Sequence, residues 1–141
     1  SAVPRPELLE ELGARVKEDC EANGIKFSLS TKRLTVRAKR SALFSVLFNL
    51  VFNAIEHAEC TEISVRAEKS GERVFLKVTD NGKGLSDNAR IFEPYFTGNE
   101  SDDNSGLGLF IVKSETEAMG GTIAYSGKNG STFTLSLLSE F

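Results

Sequence analysis

Between residues 41 and 59, SALFSVLFNLVFNAIEHAE repeats apolar side chains at helical spacing: Leu43, Val46, Leu47, Leu50, Ala54 and Ala58 return to one face. Asn49, Asn53 and Glu56 fall on a second stripe, because steps of four and three residues nearly close a helical turn, so three polar side chains can face one object. Ser41 is placed as the N-cap of this helix. Residues 7–22 show the same period through Leu8, Leu9, Leu12, Val16 and Cys20, and Asn23-Gly24 is the stop signal. The pattern elsewhere changes to period two. Ile25, Phe27 and Leu29, then Leu34, Val36 and Ala38, alternate with polar residues and predict two short strands. Ile63, Val65 and Ala67 predict a third, Ser70-Gly71-Glu72 a turn, and Val74, Leu76 and Val78 a fourth strand. The next position on that inward face is Asp80, so a carboxylate is aimed at the core.

Residues 81–106 are mostly glycine, asparagine, aspartate and serine around the aromatic run Ile91-Phe92-Glu93-Pro94-Tyr95-Phe96. They read as a loop long enough to be functional. Gly106-Leu107-Gly108-Leu109 then opens a helix to Met119, with Gly120-Gly121 as its stop. Residues 122–125 and 132–137 predict two final strands around a Lys128-Asn129-Gly130 turn. The order predicts an α+β layer structure with helices against one sheet face; the strands follow too closely for a doubly wound sheet.

Composition narrows the function classes. The 141 residues make one domain that needs no disulfide or metal staple. Seventeen Lys+Arg against twenty Asp+Glu, a net charge of −3, with no basic run, argues against nucleic acid. The two cysteines, Cys20 and Cys60, lack metal-ligand spacing and suit a reduced, cytosolic chain. The uncharged run at 41–55 is shorter than the about 18 residues of a membrane helix. A start at Ser1, without a signal-peptide pattern, predicts a single domain excised from a longer protein.

Three features carry chemistry. A buried Asp80 needs a donor, and Gly82 and Gly84 in Asn81-Gly82-Lys83-Gly84 let the backbone approach a ligand or adopt positive φ. A planar ligand with an exocyclic amine fits; taken alone, Asp-Asn-Gly reads rather as a capped turn at the strand end. Gly106-Leu107-Gly108 at a helix start offers free N–H groups and a helix dipole to phosphate, though it is neither a Walker nor a dinucleotide sequence. The amide oxygens of Asn49 and Asn53 suit a hard cation such as Mg²⁺ carrying triphosphate, or else form a solvated helix face.

In order along the chain, FNLVFNA, DNGKGLS, IFEPYF and SGLGLFIV resemble the N box, first glycine box, F box and second glycine box of sensor histidine kinases. The resemblance covers most of residues 38–137. It implies the ATP-binding catalytic domain of the Bergerat (GHKL) fold, a two-layer α/β sandwich with a mixed, mostly antiparallel sheet. It also implies that Asn53 ligates Mg²⁺, Asn49 supports the phosphates, and Asp80 binds the adenine amine in a pocket shaped by Gly82 and Gly84. Phe92 and Phe96 then anchor a lid at 99–105, and Gly106, Leu107 and Gly108 face the triphosphate. Glu56 stands where many members carry a basic residue, Asn99 near a position that is lysine in some, and Asn104 at the usual first glycine of the second box. The counter-charge for phosphate is left to Lys83, Arg90, Lys113 or His57.

ATPases of the same superfamily keep a glutamate one turn before the Mg²⁺-ligating asparagine; this chain has Asn49 there. Without that base, hydrolysis loses about 10²–10⁴-fold, so Asn49 is the residue of catalytic consequence, favouring transfer to a histidine over hydrolysis. The only histidine, His57, lies inside the asparagine helix. The acceptor is therefore expected on a separate dimerisation domain of the parent kinase, itself free or membrane-anchored, with a response regulator downstream and this domain monomeric. An anti-sigma-factor-like serine kinase of the same fold and a degenerate nucleotide-binding scaffold are the alternatives.

Overall fold

The computed structural model describes residues 2–30, 35–84, 90–93, 108–127 and 129–139. In chain order the elements are β1 (Ala2–Pro4), α1 (Arg5–Ala22), β2 (Lys26–Leu29), β3 (Thr35–Arg37), α2 (Arg40–His57), β4 (Glu62–Ser70), β5 (Arg73–Asp80), α3 (Gly108–Ala118), β6 (Thr122–Ser126) and β7 (Ser131–Leu138). A five-stranded sheet runs β2-β4-β5-β7-β6, parallel only between β2 and β4; β1 and β3 form a separate antiparallel pair.

The period-two pattern sets which sheet face is covered. Val74, Leu76, Val78 and Asp80 of β5 are buried, while the alternate Phe75, Lys77 and Thr79 are half-buried on the opposite face. Leu8, Leu12 and Val16 of α1 and Leu43, Leu47 and Leu50 of α2 join Ile63, Leu76 and Leu135 of the sheet in one core. The uncovered face is polar, with Thr79 against Thr132 and the Arg73 guanidinium donating to Ser136 Oγ at 2.6 Å. This is the expected α+β sandwich.

The glycine stops act as read. At the end of α1 the N–H of Ile25 reaches the Cys20 carbonyl and that of Gly24 the Glu21 carbonyl, with Gly24 at φ 68°. The same double closure ends α3, from Gly121 to Thr116 and from Gly120 to Glu117, with Gly120 at φ 80°.

The start of α2 differs from expectation. Ser41 is already helical; Lys39 occupies the cap position with extended backbone and no side-chain capping bond. Ala38 is buried at the end of the preceding segment and Lys39 supplies the first helical carbonyl, to Leu43 N, so core packing fixes the start before a serine cap can act. Gly106 and Leu107, expected to open α3, lie outside the described residues, and Gly108 is its first residue. Among the described residues, no helix is long and apolar enough to cross a membrane.

Candidate functional site

The site forms where α2 ends beside the ends of β5 and β7. Register pairs Asp80 with Ile63 on one side and Ser131 on the other, which puts its side chain under α2 at only 6% exposure. The Gly82 N–H donates to Asp80 Oδ1 at 2.8 Å. Burial pushes the Asp80 carboxyl above its ordinary range, against the opposite pull of the backbone N–H groups of Gly82 and Ser131. A cavity of about 30 Å³ opens beside this carboxyl, lined by Asn53, Ala54, His57 and Ala58 of α2 and its end, by Asp80 and Lys83, and by Ser131 and Phe133 of β7. That is room for one or two waters.

The turn after β5 is held from three sides. Asn81 accepts on its side-chain oxygen from the backbone N–H groups of Thr61 and Glu62, both at 2.9 Å, and donates to Thr61 Oγ1. Lys83 N–H donates to the Ala58 carbonyl at 2.8 Å, closing the end of α2. A Cβ at Gly82 would lie 2.0 Å from that carbonyl oxygen. Gly82 is thus required for close approach to the helix end and not for positive φ. At Gly84 a Cβ would meet the Gly127 carbonyl at 2.9 Å. Gly130 also supports the site: it has φ 101°, and a Cβ there would lie 2.1 Å from the Asp80 carbonyl oxygen. In the sequence it is marked only as a turn residue.

On α2 the polar residues that line the cavity are Asn53 and His57, not Glu56, and Asn49 lies one turn before Asn53 on the same stripe, outside the lining. Glu56 is exposed, whereas His57 lines the cavity with Asn53. Steps of three and four lie on either side of a full turn, and the packing of Ala54 and Ala58 selects the four-residue step. Asn49, one turn before Asn53, is half-buried and donates through Nδ2 to Ser45 Oγ at 3.4 Å; Ser45 donates to Glu115 Oε1 of α3, also at 3.4 Å. Neither Ser45 nor Glu115 stood out in the sequence, since nothing local links residues seventy positions apart.

Phe92 packs edge-on against Phe133 at 6.2 Å, and Phe133 lies 4.9 Å from Tyr125, forming an aromatic wall beside the cavity. Of the four candidate counter-charges, Lys83 and His57 line the cavity. Lys83 Nζ also meets Glu59 Oε2 at 2.8 Å, and this hydrogen bond and charge hold Glu59 below the ordinary carboxylate range. Arg90 Nε reaches Glu93, and Lys113 lies over the Phe92 ring. Gly108 is exposed at the start of α3; Phe96, Gly106, Leu107 and the 99–105 segment lie outside the described residues. Among the described residues no three His, Cys, Asp or Glu side chains converge, so a cation here would rely on amide oxygens such as Asn53's and on the ligand it accompanies.

A family model described as histidine kinase-, DNA gyrase B-, and HSP90-like ATPase matches residues 38–140. The chain is 38% identical over 127 residues to the sensor histidine kinase ZraS of Escherichia coli (strain K12), an overlap covering 85% of this chain and 27% of ZraS. The catalytic domain of histidine kinase ThkA, in a nucleotide-free form, superposes with a TM-score of 0.86 at 29% identity, covering 98% of this chain and 96% of that one. ThkA in complex with the response regulator protein TrrA superposes at 0.83 with 27% identity, covering 99% of this chain and 42% of that one.

Proposed function

The chain belongs to the histidine kinase-, DNA gyrase B-, and HSP90-like ATPase family, and on that premise we propose that it is the catalytic domain of a sensor histidine kinase, binding ATP with Mg²⁺ at the end of α2 and passing the γ-phosphoryl group to a histidine outside this domain. The observation that carries the reading is Asp80. A carboxylate has about four acceptor positions, and the N–H group of Gly82 takes one of them at 2.8 Å. The remaining capacity faces a cavity that Asn53 and His57 also line. An adenine amine satisfies such an acceptor and offsets the desolvation that raises its pKa.

Mg²⁺, when bound, would neutralise charge on the transferring phosphate. Asn53 supplies a hard oxygen donor on the helix that borders the cavity, the donor class this cation takes. Asn49 is an amide and cannot take a proton from water, so this stripe supports positioning and transfer over hydrolysis. The aromatic wall of Phe92, Phe133 and Tyr125 excludes water from one side of the base. Cys20 and Cys60 are buried free thiols whose pKa burial raises, which suits an unreactive role in a reducing cytoplasm. A response regulator is a proposed partner by analogy with the ThkA complex, and an acceptor-histidine dimerisation domain is the partner that the proposed transfer requires.

Calorimetric titration of the domain with a non-hydrolysable ATP analogue, with Mg²⁺ and with EDTA, tests the reading. Saturable, Mg²⁺-strengthened binding that excludes the guanine analogue is expected. No saturable binding in either buffer would turn the reading towards a scaffold.

A further inference from the structure

A polar chain crosses from α2 to α3 beside the site: Asn49 Nδ2 donates to Ser45 Oγ, and Ser45 Oγ donates to Glu115 Oε1, each at 3.4 Å. All three side chains are half-buried, between helices that pack together. The direction of the chain follows from what each group can do. An ionised carboxylate only accepts, so Glu115 takes the single hydroxyl proton of Ser45. Ser45 then has only lone pairs to offer Asn49, which must turn its NH₂ group towards Ser45. The amide oxygen is left on the opposite side.

We propose that Glu115, acting through Ser45, is a positioning residue that locks the Asn49 amide with its oxygen, rather than its nitrogen, presented to the bound nucleotide. The inference rests on the nucleotide-binding function proposed above and deepens it. An amide oxygen serves a cation or a water in its shell, whereas an amide nitrogen would serve phosphate oxygens. Asn49 therefore joins Asn53 on the cation side of the ligand. An amide without this tether can rotate end for end at small cost, and each rotation would replace a cation donor with a group that repels the cation.

The test compares wild type with Ser45→Ala, Glu115→Ala and Ser45→Thr, which keeps the hydroxyl. Two quantities are measured on folded, ¹⁵N-labelled protein: the side-chain NH₂ resonances of Asn49 without ligand, and ADP affinity with Mg²⁺ relative to EDTA. The alanine variants are expected to shift the Asn49 NH₂ pair and to reduce the Mg²⁺-dependent gain in affinity about 3- to 10-fold, with EDTA affinity unchanged. Ser45→Thr is expected to restore both. Unmoved NH₂ resonances, an unchanged Mg²⁺-dependent gain, or an equal loss with and without Mg²⁺ would each overturn the proposal while wild type still binds ADP. A wild-type protein that binds no nucleotide would overturn it together with the function on which it rests.

Discussion

Asp80 occupies the fourth place on an inward face whose other members are Val74, Leu76 and Val78, so its strand would be easier to fold with an apolar residue there. Asp80→Asn keeps the shape and removes the charge. If the carboxylate accepts the adenine amine, this variant loses a charge-assisted hydrogen bond and adenine-nucleotide affinity falls about 10- to 100-fold, measurable by calorimetry. Stability should move the other way. Burial raises the folded pKa of Asp80 above the ordinary 3.8, so the folded state holds the proton more tightly than the unfolded chain. Stability from that proton is present below pH 3.8 and is lost as pH rises through the folded value, whereas asparagine does not titrate. Urea midpoints at pH 4 and 7 should therefore show Asp80→Asn gaining on wild type at the higher pH; a gap that is constant or shrinks would contradict the assignment. Alternation alone exposes Asp80 in the sequence. The shift from Glu56 to His57 is not legible there, because both positions lie within a fraction of a turn of Asn53 and only tertiary packing chooses.

At the scale of elements, α2 ends differently from α1 and α3. No glycine follows it; Glu59 takes the left-handed position at φ 55°, and the Ala58 carbonyl is satisfied by Lys83 from the turn after β5. The helix carrying Asn53 is thereby bolted to the turn carrying Asp80. Gly82→Ala would drive a methyl into the Ala58 carbonyl, and Gly130→Ala one into that of Asp80. Each should cost about 1–3 kcal/mol in urea unfolding and weaken nucleotide binding as well. Gly24→Ala meets nothing within 4 Å and pays only for its φ of 68°, so about 1–2 kcal/mol and unchanged binding are expected. If Gly82→Ala and Gly24→Ala affected binding alike, the joint between α2 and the turn would have no bearing on the site. Leu47→Ala, wholly buried in α2, should lose about 2–5 kcal/mol. The glycine stops were readable because left-handed closure needs a particular residue type. The α2 N-terminus was not, since burial of Ala38 overrode the serine that local capping rules favour.

For the whole molecule, periodicity reveals which residues face inward but not which strands meet. The parallel pairing of β2 with β4 across α2, and the β1–β3 pair, depend on contacts between residues 31 to 36 positions apart, for which the sequence carries no local signal. That same topology decides where phosphate can go. The pairing of Asp80 with Ser131, together with the end of α2, sets His57 into the cavity at the carboxylate, the end of the site that the proposed function gives to the base. Transfer needs a nucleophile in line with the γ-phosphorus at the opposite end of the nucleotide. His57 lies one turn beyond Asn53 on a helix held by the burial of Leu50, Ala54 and Ala58, and it lines the cavity beside the Asp80 carboxylate. The isolated domain, incubated with γ-labelled ATP and Mg²⁺, is therefore expected to bind nucleotide yet accumulate no acid-labile phosphate, and His57→Ala should leave that blank unchanged. Adding a separate acceptor-histidine helical hairpin should produce label on the hairpin alone. Stable label on His57 would mean that the base and phosphate ends of the site have been assigned the wrong way round.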